Sequence, residues 1–355
     1  MLNEIGSEFW HVPSSEPNDF FSRCEGDIAF TMSGRTSILY ILQEVESTVT
    51  TKIVYMPAYC CDSMVAPFRL KGYDIHFYDI THSFEPVIQL NLLKSAGVFF
   101  TCDYFGFPTS IPQKFIDTCR KHHIITIHDI TMSLFSQVNY TNHDYLLGSF
   151  RKWIGIASGG LAIALKKPFS TQLLPPLTPY IQTRQKALNL KAEYIQSPSE
   201  SLKTQVRDLF LNAEALLNGA TSRYASDTVS IDCLRHYPYL ELIEKRRRNY
   251  LTLLEGFSSL ANINILHASM SADTCPMFFI IFTDDRDRFK QYLIENQVYP
   301  PVHWPIPENR EHSENSKQIA NAILSIPCDQ RYGTQEMERI VALARFFFKT
   351  GENTT

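Results

Sequence analysis

The stretch LLGSFRKWIGIASGGLAIAL, residues 146–165, sets one lysine, Lys152, among apolar and small residues. Arg151 stands beside it, and residues 153–165 carry no formal charge before Lys166. A lysine on a surface helix ordinarily has charged neighbours along its own face. Two readings are open: a snorkelling side chain, or a buried amine with chemistry to perform. Burial disfavours the ammonium form and lowers the amine pKa. Such a lysine is a nucleophile able to form a Schiff base with an aldehyde. Ser149, three residues earlier, offers a hydroxyl to a phosphate. Gly159 and Gly160 give the chain close approach and sharp turning beyond the lysine.

Upstream of this stretch, strand-like and helix-like segments alternate. TSILYILQEVES (36–47) has apolar residues at helical spacing, and KIVYMPAY (52–59) is a β-rich run closed by proline. APFRLKGYDIHFYDI (66–80) reads as helix, glycine and strand; GVFFTCDYFG (97–106) and HIITIHDI (123–130) read as buried strands on either side of a helix-like QKFIDTCRKH (113–122). The alternation predicts βαβ units and a mostly parallel sheet. Downstream, 175–196 starts in a proline-rich turn and becomes helical, and helices follow over 201–219 and 239–257, then strand, helix, extended proline-rich loop, strand and helix. The expected division is an N-terminal arm (1–24), a large α/β domain (25–235) and a small C-terminal α+β domain (236–355).

Two further features bear on chemistry. Ser33-Gly34-Arg35-Thr36 opens a predicted helix, where free N–H groups and the helix dipole favour a phosphate. Its plain alternative is an ordinary cap. Asp129 ends the strand IITIHDI, the side of an open α/β sheet where ligands bind. Its plain alternative is a turn-capping aspartate. Together with Lys152 they match what pyridoxal 5′-phosphate requires: an amine for the aldehyde, a carboxylate for the pyridinium nitrogen, and a helix N-terminus for the phosphate.

FTMSGRTSILYIL, VYMPAYCCDSMVAPFRLKGYDIHFYDI, FFTCDYFGFP, VYPPVHWPIP and SIPCDQRYGTQEMERIVALARFF resemble, in order and along most of the chain, the DegT/DnrJ/StrS sugar aminotransferases. The resemblance implies a fold-type I pyridoxal-phosphate enzyme, with a mostly parallel large-domain sheet and a smaller α+β domain. It implies Lys152 as the Schiff-base lysine and Asp129 as the pyridinium partner. Gly34, Arg35, Thr36 and Ser149 fall at the phosphate, Tyr59 or Cys61 at the cofactor ring, and His303 near the substrate. It implies an amino donor such as glutamate, a keto acceptor, typically a nucleotide-linked keto-sugar, and a homodimer. The sequence departs from the family at Met132, where Gln or His usually bonds the cofactor's phenolic oxygen; Thr131 and Ser133 are the neighbouring substitutes. Cys61 stands where an aromatic or histidine usually stacks. The family's Asn-Tyr-Arg-Met stretch is absent, with Ser226 in roughly that region. Another pyridoxal-phosphate reaction (lyase, dehydratase or acyl transfer) and a non-catalytic binding protein are the rival readings. Lys152 argues against the sugar dehydratases of the family, which carry histidine there.

Composition narrows the field. Of 355 residues, 44% are hydrophobic and 20% charged, with a formal net charge of −4. That balance gives no basic face for nucleic acid, and the run Lys245–Arg248 reads as a solvated helix face. No apolar run reaches the length of a membrane span, and the N-terminus has no signal-peptide pattern, so a cytoplasmic protein without membrane attachment is expected. The eight cysteines form no C-x-x-C pair, so no metal site is expected and the thiols are expected reduced.

Overall fold

A computed structural model of the chain describes residues 4–10, 12–137, 140–306 and 313–351. After a short strand β1 (Ile5–Gly6) come β2 (Asp27–Thr31), α1 (Gly34–Glu44), β3 (Ile53–Pro57), α2 (Asp62–Leu70), β4 (Asp74–Ile80) and β5 (Pro86–Val87). Then follow α3 (Leu90–Ser95), β6 (Val98–Cys102), α4 (Gln113–Lys121), β7 (Ile125–Asp129), β8 (Tyr145–Ser149) and β9 (Gly160–Ala164). Strands β2 to β9 form one eight-stranded sheet in the order β2-β9-β8-β7-β6-β3-β4-β5. The pairings among β4, β3, β6, β7 and β8 are parallel, as the alternating pattern predicts. A parallel strand covered on both faces reads as an apolar run; β6 is buried at every residue.

The opening stretch is the exception that shapes the site. It folds as strand, 3₁₀ turn (Phe150–Lys152) and returning strand, so β9 runs antiparallel to both β8 and β2. The register is tight: Thr31 faces Gly160, Gly160 faces Ser149, and Asp129 faces Cys102. The C-terminal ends of β2, β8, β7 and β6 therefore share one edge. Gly160 is the hinge pin of this alignment. A Cβ there would meet the Thr31 hydroxyl at 2.2 Å and the Ser33 carbonyl at 2.4 Å. Gly160→Ala is expected to cost about 2–4 kcal/mol of stability through overpacking, measured as a lowered denaturation midpoint.

The rest of the chain is α5 (Thr178–Gln196), α6 (Glu200–Asn218), α7 (Thr228–Arg235), α8 (Tyr239–Phe257), β10 (Asn264–Ile265), β11 (Phe278–Phe282), α9 (Arg286–Glu295), β12 (Val298–Tyr299), α10 (Glu314–Ala322), β13 (Ile323–Pro327) and α11 (Thr334–Gly351). Helices α5 and α6 pack on each other. Strands β10, β11 and β13 form a small antiparallel sheet against α8, and α8 packs on α11. β1 adds in parallel to β12, which ties the N-terminal arm to the C-terminal part.

The basic run on α8 departs from the solvated face expected of it. Arg246 is buried, stacks on the Trp153 ring at 4.4 Å and donates to Gln330 Oε1 (2.7 Å) and the Met277 carbonyl (2.9 Å). The helical period turns this one position inward while Lys245 and Arg248 pair with Glu241 and Glu244 along the outer face. Every cysteine is a free thiol, and no described residues group as a metal site. No described helix is long and apolar enough to cross a membrane.

Candidate active site

The shared sheet edge ends in a chamber of about 340 Å³, lined by residues from β7, β8, α1 and the 3₁₀ turn among others. Seven of the nine residues expected at the site line it: Gly34, Arg35, Cys61, Asp129, Ser149, Lys152 and His303. Ligand sites of a few hundred Å³ are the ordinary size for a small organic cofactor.

The N-terminus of α1 is built by a capping box. Ser33 Oγ accepts the Thr36 N–H (3.3 Å), and Thr36 Oγ1 accepts the Ser33 N–H (2.7 Å). This occupies Thr36, whose hydroxyl also donates to the Ser33 carbonyl at 2.8 Å. Thr36, expected at the phosphate, is buried in the cap and is not among the chamber's lining residues. The first amides of the helix, on Gly34 and Arg35, remain available for an anion. Gly34 sits against the other two elements: a Cβ on it would lie 3.5 Å from Ser149 Cβ and 3.8 Å from the Thr131 hydroxyl.

Positive charge collects around this cup. Arg35 donates to Asn218 Oδ1 (2.7 Å) and the Leu217 carbonyl (3.0 Å) at the end of α6. Arg35 and Arg151 both approach Glu214, at 3.7 and 3.9 Å. Their Nε atoms are buried without a partner. An orphaned buried donor carries a cost that an anionic ligand would relieve.

Asp129 is buried at the end of β7 and accepts the Thr131 N–H at 2.8 Å. Burial pushes its carboxyl up to about 6, against the lowering effect of the Thr131 bonds. A carboxylate held this dry is well placed for a cationic partner. Thr131 is thus bound to Asp129, and its carbonyl accepts the Trp153 indole N–H at 2.7 Å. Ser133 points elsewhere, to Asp103 in a closed cluster with His128 and Tyr140. Met132 lines the chamber, its sulfur accepting the Phe105 N–H at 3.4 Å.

Of the two readings of Lys152, the buried amine does not hold: the residue is exposed. It ends the 3₁₀ turn and lines the chamber. A second cavity of about 540 Å³ adjoins there and shares Lys152, Arg151, Glu214, Met277 and His303 with the first. Lys152 therefore stands at the junction of the two spaces.

Tyr59 also differs from expectation. Its hydroxyl donates to the His303 carbonyl and accepts the Trp304 N–H (2.9 Å), so it fastens the 303–304 loop from outside the chamber. Cys61 faces inward, its thiol 2.9 Å from Ser63 Oγ and raised in pKa by burial. Trp304, which sequence reading passed over, supplies an aromatic wall. His303 lines both cavities and contacts Ser325 Oγ through Nδ1 at 2.9 Å. Burial, then the Lys152 charge, push its imidazole down to about 3. Ser226 is buried against Ser158, 2.5 Å away.

No family model matches the chain, and no curated protein matches it. Solved structures do. PseC from Helicobacter pylori, an aminotransferase involved in the biosynthesis of pseudoaminic acid, is 13% identical over 97% of this chain and 100% of its own, with a TM-score of 0.65. DesI, solved in the presence of its TDP-sugar product, is 14% identical over 99% and 95%, with a TM-score of 0.64. Spr1654 from Streptococcus pneumoniae, in its PLP-form, is 14% identical over 98% and 100%, with a TM-score of 0.63. The chain has their fold: the fold-type I α/β architecture, along nearly its whole length.

Proposed function

We infer that the chain is a divergent pyridoxal-phosphate aminotransferase of the DegT/DnrJ/StrS kind. It moves an amino group from an amino acid such as glutamate to a keto acceptor, a nucleotide-linked keto-sugar being the favoured class. A cytoplasmic homodimer with a large domain at 25–235 and a small one at 236–355 is part of the same reading. One observation carries it: a single chamber at the carboxyl edge of the sheet unites an amine (Lys152), a dry carboxylate (Asp129) and an anion cup (Gly34, Ser149). These are the groups the cofactor requires, and the unpartnered Nε atoms of Arg35 and Arg151 fit its phosphate.

Bound pyridoxal phosphate supplies an aldehyde that condenses with amines and a ring that withdraws electrons from the adjoining carbon. The chain's own groups do the rest. The Gly34 and Arg35 amides and the Ser149 hydroxyl would hold the phosphate, with Arg35 and Arg151 adding charge. Asp129 would keep a proton on the ring nitrogen, since a buried carboxylate favours a cation beside it. Trp304, Met277 and Cys61 form the less polar walls that limit water. Lys152, which lines both cavities, would take a proton from the donor's α-carbon.

The test is the visible spectrum of the purified chain mixed with pyridoxal phosphate, before and after glutamate. A visible band that bleaches as pyridoxamine phosphate accumulates stoichiometrically is expected. A band indifferent to glutamate would move the chemistry to a lyase, dehydratase or acyl transfer. No band would overturn the reading. Ser149→Ala, which removes one hydrogen bond to a charged group, is expected to weaken cofactor affinity about ten- to a hundredfold in the same titration.

A further inference from the structure

The second cavity contains an ion pair that the cofactor does not explain. Arg184, on α5, is 5% exposed, yet its Nη2 reaches the cavity and meets Glu8 Oε2 at 2.7 Å. Its face lies on the Phe210 ring at 4.5 Å, and its Nε is buried without a partner. A guanidinium presents a rigid fork that suits a carboxylate taken in two-pronged fashion. Glu8 engages one prong.

Glu8 is lightly held. β1 ends at Gly6, and Ser7 and Glu8 leave the sheet over the cavity. Arg331, paired with Asp329 at 2.7 Å, holds this segment through the Ser7 and Glu8 carbonyls (3.2 and 3.1 Å) and stacks on Phe9 at 4.1 Å. The Glu8 side chain itself stays 48% exposed, with Arg184 as its hydrogen-bond partner. Glu4, two residues before Gly6, shows what a structural carboxylate looks like here: it is buried and meets Tyr194, Lys203 and Lys191 at 2.8, 3.3 and 3.4 Å. Partial desolvation raises the Glu8 carboxyl, but the charges of Arg184 and Lys152 and the Arg184 hydrogen bond hold it below the usual range. A charged carboxylate therefore sits within electrostatic reach of the lysine.

We propose that Arg184 is the seat of the amino donor's carboxylate, and that Glu8 of the N-terminal arm fills this seat in the free chain and yields it when the donor arrives. The ligand's identity as an amino donor rests on the aminotransferase reading above; the carboxylate chemistry of the seat does not. A tethered carboxylate acts as an internal competitor at millimolar effective concentration. The exchange keeps a buried guanidinium paired in both states, which avoids the cost of leaving it alone.

The experiment is calorimetric titration of the full chain, without pyridoxal phosphate, with glutarate as an unreactive dicarboxylate. Glu8→Gln is expected to bind glutarate about tenfold more tightly than the wild type. Arg184→Gln is expected to abolish binding, and Arg184→Lys to weaken it by keeping charge without the fork. Glu8 lies on a half-exposed segment, so its variant folds whatever becomes of the Arg184 variants. Equal binding by Glu8→Gln and wild type, or undiminished binding by a folded Arg184→Gln, overturns the proposal while leaving the visible-band test of the aminotransferase untouched. If glutarate behaves as expected but the wild type forms no band with pyridoxal phosphate, the donor assignment falls with the aminotransferase reading.

Discussion

Lys152→Ala is expected to form no visible band with pyridoxal phosphate and to lose at least about 10³-fold in turnover with glutamate, while keeping its fold. The argument starts from where the side chain stands. Lys152 is exposed at the junction of two cavities, in a 3₁₀ turn whose packing comes from Phe150 and Trp153. Truncation there opens no core cavity, so stability should change by no more than about 0.5 kcal/mol. The loss is chemical, and no neighbour can replace it. Arg151 is tied toward Glu214 and Tyr180, and a guanidinium is never deprotonated for nucleophilic work. Lys152→Arg keeps the charge and should be as inactive as alanine. Thermal melting beside the spectrum separates the cases. A folded Lys152→Ala that still forms the band would assign the amine to another residue.

The sheet and its edge were legible because they follow from short-range pattern and a general rule. VFFTC and ITIHD read as buried strands, and ligands gather at the carboxyl ends of such strands, which singled out Asp129; a helix start singled out Gly34 and the spacing to Lys152 singled out Ser149, and the three line one chamber. What stayed hidden depends on direction and distance. Tyr59 and Cys61 are two positions apart, and nothing local says that the tyrosine turns to fasten His303 and Trp304 while the cysteine faces the chamber. Thr36 looked like a phosphate ligand because hydroxyls at helix starts serve both ligands and caps; here the cap won. The charge-free run around Lys152 suggested dryness, but it reports the buried strands on either side rather than the turn between them. β1 and β12 are two residues each, too short for any periodic signal. Glu8 and Arg184 meet across 176 positions, a contact made only by the fold.

Asp129→Asn should divide stability from function. The Asp129 carboxyl is raised by burial to about 6 from an ordinary 3.8. For an acid raised in this way, the folded state binds the extra proton between those values, so stability falls as pH rises through that window. Above pH 6 the cofactor-free wild type carries a buried negative charge that the unfolded chain keeps in water, at a cost on the order of 3 kcal/mol. Asparagine has nearly the same shape and still accepts the Thr131 N–H, without that charge. Cofactor-free Asp129→Asn is therefore expected to be more stable than the wild type at pH 8 and equal to it near pH 3, where both side chains are neutral in both states. Denaturant midpoints across pH 3–8 read the gap directly, and a gap that does not widen with pH would show that this carboxyl does not titrate there. Added pyridoxal phosphate should reverse the order. A ligand that binds only the folded state stabilises it by mass action, and the wild type alone offers its ring nitrogen a negative partner. Turnover of Asp129→Asn should fall about 10²–10³-fold, the usual loss when one preorganised electrostatic partner is removed. The charge that makes the empty fold weaker is the one that the filled site would use.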